Sequence, residues 1–286
     1  MDGRTLIDLI DREMQVRPGR APEALGGVPV GPGHYRLEGD EFLMREQGLA
    51  FHYRQGEGVS VERAPGADTS EEELFLHGTV YAAVACINGL MPLHASAVAV
   101  NGAVVAFTGP AGAGKSTTVA GLSRLGLPLY CDDTLLLHMG ADGIPLCLPG
   151  HKRMKLWPDS VNLTGSTPLQ EVSPSYAKYY VTPAGGDVAE PLPLAALVFL
   201  ETAPAGTAPR LEPVAGGEKI ARLDDDHYTR DLFDRASRHS RAERFALHAR
   251  IAARVAMARF IRPLDRENFW PTTRYLAENV SDMVAG

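Results

Sequence analysis

The sequence predicts an α/β protein. Three observations carry that expectation. A β-branched and aromatic run, Ala103 to Thr108, leads through a glycine-rich loop into a helix-compatible run, Thr117 to Leu125. Further strand-like apolar runs follow at 129–137 and 194–201, the second (LAALVFLE) apolar enough for a central strand. Helical patterns then occupy 225–235, 241–258 and 268–284. We expect two domains: a small N-terminal α/β element over 1–68, and a larger domain over 69–286 that carries the loop and the C-terminal helices.

In chain order, Thr5 to Val16 has apolar residues at helical spacing, and a Gly- and Pro-rich connector runs from there to Gly33. The stretches HYRLEG, EFLMRE, LAFHYR and VSVERA between His34 and Glu62 alternate and are broken by glycine, as in an antiparallel meander. Pro65 to Ser70 reads as a link. Thr69 or Ser70, followed by Glu71, Glu72 and Glu73, reads as a helix start, with acids near the positive end of the helix dipole, and the helix runs to about Gly89. His94 opens a strand to Val100, and Asn101-Gly102 is a two-residue hairpin turn. Short strands are expected at 144–148, 153–156 and 178–181.

With 286 residues, 45% of them hydrophobic and 22% charged, the chain has material for a buried core, which excludes a disordered polymer. A net charge of -7 argues against a duplex-binding protein, so nucleic acid is not an expected partner. Cys86, Cys131 and Cys147 form no CxxC pair, which excludes a disulfide scaffold and a zinc signature. Reduced thiols and the lack of a basic-then-apolar leader point to a cytoplasmic protein, and without a long apolar run no membrane partner is expected.

The sharpest motif is Gly109-Pro-Ala111-Gly112-Ala113-Gly114-Lys115-Ser116, which satisfies GxxxxGK[ST] between a strand and a helix. Glycines let the backbone turn tightly, so that successive N–H groups face phosphate oxygens. The helix N-terminus adds partial positive charge. Lys115 supplies a point charge to the β- and γ-phosphates, the Ser116 hydroxyl can hold Mg²⁺, and Thr117 is a secondary ligand. The motif predicts binding of a nucleotide. By itself it leaves open whether the γ-phosphoryl group goes to water or to a substrate.

Asp132 and Asp133 stand inside an apolar stretch, LPLYCDDTLLL, where unpartnered carboxylates are costly. On a strand they would point to opposite faces. One could then face Mg²⁺ or an attacking hydroxyl, while the other bonds the scaffold. His151, Lys152, Arg153 and Lys155 read as a solvated basic face, with an acidic-peptide site as the alternative. Trp157 and Trp270, each followed by Pro, read as packing anchors.

The run from His94 through the hairpin and the loop to Ser116-Thr117, followed by Cys131-Asp132-Asp133, resembles the catalytic domain of the HPr kinase/phosphorylase family, over roughly residues 75 to 205. The resemblance implies a P-loop core sheet of that family with flanking helices. It implies an ATP- and Mg²⁺-dependent kinase acting on a Ser hydroxyl of a peptide or protein, and a homo-oligomer. It places His94 near the transferred phosphoryl group, Asp133 (or Asp132) as base, and Ser116 with Asp132 at the metal. The family's Glu-bearing signature is absent. Pro149 to Ser160 (PGHKRMKLWPDS) stands there, so no second metal carboxylate carries over beyond a guess at Asp159. Lys178 occupies a place comparable to the family's later Arg loop and would serve as the cation. These departures make the chain similar to the kinases of peptide-biosynthesis clusters that phosphorylate the C-terminal Ser of lasso-peptide precursors. The competing readings are a nucleotide-binding regulatory protein with slow hydrolysis and a small-molecule kinase.

Overall fold

The computed structural model describes residues 2–68, 70–173, 176–224, 231–232, 235 and 241–285. The chain divides into two compact units, one of Met1–Pro92 with His227–Arg241, the other of Leu93–Asp226 with Ala242–Gly286. The division therefore falls at 92/93 rather than at 68/69, and the first unit takes back a segment from late in the sequence.

In the first unit, helix α1 (Gly3–Glu13) begins at Asp2, whose carboxylate accepts from the Thr5 amide at 2.8 Å. This is an N-cap of the usual kind. Strand β1 (Val16–Pro18) and the small hairpin β2 (Ala24–Leu25) and β3 (Val28–Pro29) follow. The expected meander is present as β4 (His34–Glu38), β5 (Glu41–Glu46), β6 (Leu49–Arg54) and β7 (Gly58–Arg63), paired antiparallel in sequence order. β1 adds to β7 in parallel. Phe42, Leu43, Phe51 and Tyr53 are buried residues of this sheet. The expected helix over 70–89 forms as α2 (Ser70–Phe75), a π-helical turn (Leu76–Val80) and α3 (Tyr81–Ile87). β8 (Met91–Leu93) lies at the division between the units.

The second unit is built on one large sheet. β9 (Ala95–Val100) and β10 (Ala103–Thr108) form the expected hairpin, and Asn101 takes φ 48° in its turn. Helix α4 (Lys115–Arg124) follows the loop, and β11 (Leu129–Cys131) pairs antiparallel with β9. β12 (Leu135–Met139) and β13 (Pro145–Leu148) form a second hairpin. β14 (Met154–Leu156), helix α5 (Pro158–Thr164), β15 (Pro168–Ser173) and β16 (Tyr176–Val181) come next, with the three strands in a separate sheet ordered β14-β16-β15. β17 (Leu192–Ala203) is the centre of the large sheet. It pairs with β10 in parallel on one side and meets β13 near its start.

β18 (Arg210–Pro213), α6 (Gly217–Asp224), α7 (Arg241–Arg254), β19 (Ala256–Pro263) and α8 (Phe269–Ala285) complete the unit. The helix expected over 241–258 therefore stops at Arg254, and the chain turns into a strand. β19 pairs in parallel with β17 from Ala196↔Ala256 to Ala203↔Pro263, so tertiary pairing overrides the helical pattern. The helix expected over 225–235 falls largely outside the described residues. α4 packs on β9, β10 and β11, against α5 and α8. Val98, Phe107, Val119, Leu122, Leu129 and Phe260 are among the residues of the core between them. β10, β17 and β19 run parallel, so their C-terminal ends share one edge, where ligands of open α/β sheets bind.

Candidate active site

At that edge the loop leaves β10. Gly109 takes φ +149°, and a Cβ there would stand 3.0 Å from the Leu200 carbonyl oxygen and 3.3 Å from the Ala113 Cβ. Gly114 takes φ +84°, and its Cβ would stand 3.3 Å from Nη2 of Arg262. Both positions need glycine, one for close approach to the neighbouring strand and one for left-handed backbone. Ala113 donates its amide to the Pro110 carbonyl at 3.1 Å, and Thr118 donates to the Gly114 carbonyl at 2.8 Å, which closes the first turn of α4. Lys115 is buried and donates Nζ to the carbonyls of Gly109 at 2.8 Å and Pro110 at 3.4 Å. Its ammonium is thus folded over the loop. Ala111 and Gly112 are exposed on the loop crest, Ser116 is half-buried at the start of α4, and Thr117 Oγ1 lies 2.9 Å from Ser160 Oγ on α5.

Arg262 was not among the residues singled out from the sequence. It is the penultimate residue of β19, is 3% exposed, and donates Nη2 to the Ala113 carbonyl and Nη1 to the Glu201 carbonyl, the latter at 3.2 Å. Burial pulls its guanidinium down to a pKa of about 10, which still leaves it charged at neutral pH. The loop therefore has a buried cation fastened to its backbone from behind.

His94 stands opposite the loop. Thr108, the last residue of β10, donates its hydroxyl to the His94 carbonyl at 3.1 Å, and the β9–β10 register places Ala95 across from Thr108. The Asp pair is not on a strand as expected. It occupies a bend between β11 and β12, with Asp133 at φ 75°. A left-handed non-glycine residue ends a strand and is a strained conformation of the kind that gathers at functional sites. The bend separates the two carboxylates. Asp132 is buried and accepts from Ser96 Oγ at 2.6 Å on one oxygen and from the Lys155 amide at 3.0 Å on the other. Asp133 opens toward the site. Its Oδ2 accepts from Lys155 Nζ at 2.8 Å, and its Oδ1 lies 3.5 Å from His94 Nε2.

Lys155 departs from the solvated face expected for 151–155. It is 9% exposed, in β14 between the buried Met154 and Leu156. Lys152 also turns inward, donating to the carbonyls of Tyr130 and Val188. Burial pushes the Asp133 carboxyl up, but the charge and hydrogen bond of Lys155, with the charges of His94 and Lys178, outweigh it and hold the group below its usual range. Burial pulls the Lys155 ammonium down, and Asp133 more than restores it. At neutral pH the pair is ionised.

Lys178, on β16, has its ammonium 5.1 Å from the ring centre of Trp157 and 5.0 Å from that of Tyr176. Trp157 is 48% exposed, so this tryptophan is an open platform rather than an interior anchor. Asp159 is exposed and pairs with Arg266 at 2.7 Å.

The second unit thus brings together His94, the loop with Lys115 and Ser116, Asp132, Asp133 and Lys178, and adds Lys155 and Arg262. The signal for Lys155 was a lysine inside an apolar triplet. Among the described residues no group of three or more His, Cys, Asp or Glu side chains is placed to hold a metal ion by itself. A divalent ion here would have to share its ligands with a bound phosphate, and the half-buried Ser116 beside the loop amides fits that arrangement.

No family model matches the chain, and no curated protein matches it. Among solved structures, the HPr(Ser) kinase/phosphatase from Coxiella burnetii aligns over 68% of this chain and 99% of that one, at 13% identity and a TM-score of 0.36. So loose a superposition assigns no family, and the functional reading stands on the site's own residues.

Proposed function

We propose that the protein is an ATP-dependent kinase that transfers the γ-phosphoryl group to a hydroxyl, with a peptide or protein Ser as acceptor. The observation that carries this reading is the ionised Asp133 beside a complete phosphate loop. Its Oδ1 lies next to His94, and its Oδ2 is fixed by Lys155.

In the proposed reaction the loop amides and Lys115 bind the β- and γ-phosphates, and Lys115 exchanges its contacts to Gly109 and Pro110 for phosphate oxygens. Mg²⁺, held by Ser116 and phosphate, would neutralise charge on those oxygens. Asp133 orients the acceptor hydroxyl. As the new O–P bond forms and the bond to the β-phosphate oxygen breaks, the hydroxyl proton passes to the Asp133 carboxylate and ADP leaves. A carboxylate held by Lys155 is a weak base, which suits a loose transition state in which the proton moves late. Lys178, whose charge acts on Asp133, would add positive charge near the transferred group. Asp132, with both oxygens bonded to Ser96 and Lys155, holds the bend that aims Asp133.

The exposed Trp157, with the half-buried Tyr176 and Lys178 against it, supports an acceptor larger than a metabolite, because an exposed aromatic face gains most against a peptide surface. The C-terminal Ser of a precursor peptide is one acceptor of this kind. The test is mass spectrometry of candidate peptides incubated with the protein, ATP and Mg²⁺, with a Lys115→Ala control. A phosphoryl mass gain absent from the control supports the reading. ATP turnover to ADP with no gain on any peptide or hydroxylated metabolite would replace it with slow hydrolysis.

A further inference from the structure

Beside the loop lies a cavity of about 210 Å³ that the reaction described above does not use. It opens on Gly112, Gly114 and Thr117 and runs between α5, the end of β19 and α8. Its far walls are the rings of Phe260 and Phe269 and the side chains of Leu163 and Leu276, with the hydroxyls of Ser160, Thr272 and Thr273 at the sides.

We infer that this cavity is the nucleobase site of the nucleotide whose phosphates the loop binds. The inference rests on the kinase reading only for the loop's occupant. Three observations carry it. The cavity is continuous with the loop, so a phosphate chain lying on the loop amides has one end directed at its mouth. It stands at the shared C-terminal edge of β10 and β19, where a ligand of a parallel sheet is bound by residues from successive strands. Its volume and its aromatic, apolar walls suit a flat heterocycle and are too small for a peptide segment.

Several of the polar groups at its rim are already engaged. Asp265 caps the Asn268 amide at 2.7 Å, Ser160 bonds Thr117, and Thr273 donates to the Phe269 carbonyl at 2.7 Å. Stacking and apolar contact therefore dominate over hydrogen-bond readout. Since every base has a π-face, the site accepts adenine and guanine alike.

The test is titration calorimetry of the full chain with Mg²⁺ and three probes: ATP, GTP and inorganic tripolyphosphate. The variants are Leu163→Trp, which fills the cavity, and Phe269→Ala, which removes one ring wall. Each is checked for an unchanged thermal midpoint. The expected result for the wild type is ATP and GTP binding within about threefold of each other and at least tenfold tighter than tripolyphosphate. Either variant should erase the nucleotide advantage and leave tripolyphosphate binding unchanged. Tripolyphosphate binding as tight as ATP in the wild type, or variants that weaken both probes equally, would overturn the base site while the loop reading stands. A wild-type protein that binds none of the three would overturn the kinase reading itself.

Discussion

The Asp133–Lys155 pair is the residue-scale feature that decides most. Asp133 has a lowered pKa, so its contribution to stability is full above the ordinary aspartate value of about 3.9 and is lost as pH falls through the folded value. Lys155 has a raised pKa, so its contribution is full below about 10.4 and is lost as pH rises through the folded value. Replacing Lys155 by Met strands a carboxylate that is largely removed from water. We expect a loss of about 3 kcal/mol at pH 7 in urea melts, shrinking toward zero as pH falls through the lowered folded value of Asp133. A loss that stays constant down to that pH would mean packing of the Lys stem, not charge, is what matters. For catalysis, Asp133→Asn should abolish transfer and leave ATP affinity within about twofold, read by peptide phosphorylation and calorimetry. The rate of the wild type should stay flat from neutral pH down to about 5, whereas a histidine base would put the acid limb near about 6.5. The two carboxylates, His94, Lys115 and Lys178 were marked as candidates from the sequence. Lys155 was not, because a lysine beside other basic residues has the composition of a solvated face. Its burial and its bond to Asp133 show that it points inward.

At the scale of elements, the loop and α4 were legible because strand, glycines and helix are contiguous and the chemistry is local. β19 was not. The run VAMARFIRP continues the alanine and arginine pattern of α7, and its strand form depends on β17, more than fifty residues earlier in the chain. This hidden strand carries Arg262, which ties the loop to the sheet. Arg262→Met leaves the carbonyls of Ala113 and Glu201 without that donor. We expect stability to fall by about 1–3 kcal/mol and ATP affinity to fall about tenfold, because the loop amides are no longer held in register. Unchanged affinity in a destabilised variant would confine Arg262 to the fold. Gly114→Ala tests the same link from the loop side. Its φ of +84° and the 3.3 Å approach to Arg262 make any Cβ costly, and ATP binding should weaken without loss of the folded sheet.

At the scale of the molecule, the α/β class was legible, while the division of the chain was not. Composition and turn signals change near residue 68, but compactness depends on which distant segments pack together, and 227–241 groups with 1–92 without any local mark in the sequence. The second unit is equally discontinuous, since β19 and α8 return to it after that excursion. Their place predicts what a truncation does. Ending the chain after Arg254 removes one of the two parallel partners of β17, the buried Phe260 and the buried Leu276 and Val280 of α8. It also removes the Arg262 tether and two walls of the cavity beside the loop. β17 would then be an unpaired apolar edge, a site for aggregation. We expect the truncated chain to be insoluble or to melt without cooperativity, and to bind no ATP even though every residue of the GxxxxGKS motif is present. Were it to melt cooperatively and bind ATP as the full chain does, β19 and α8 would be appendages, and the site would be complete with the loop, His94 and the Asp pair alone.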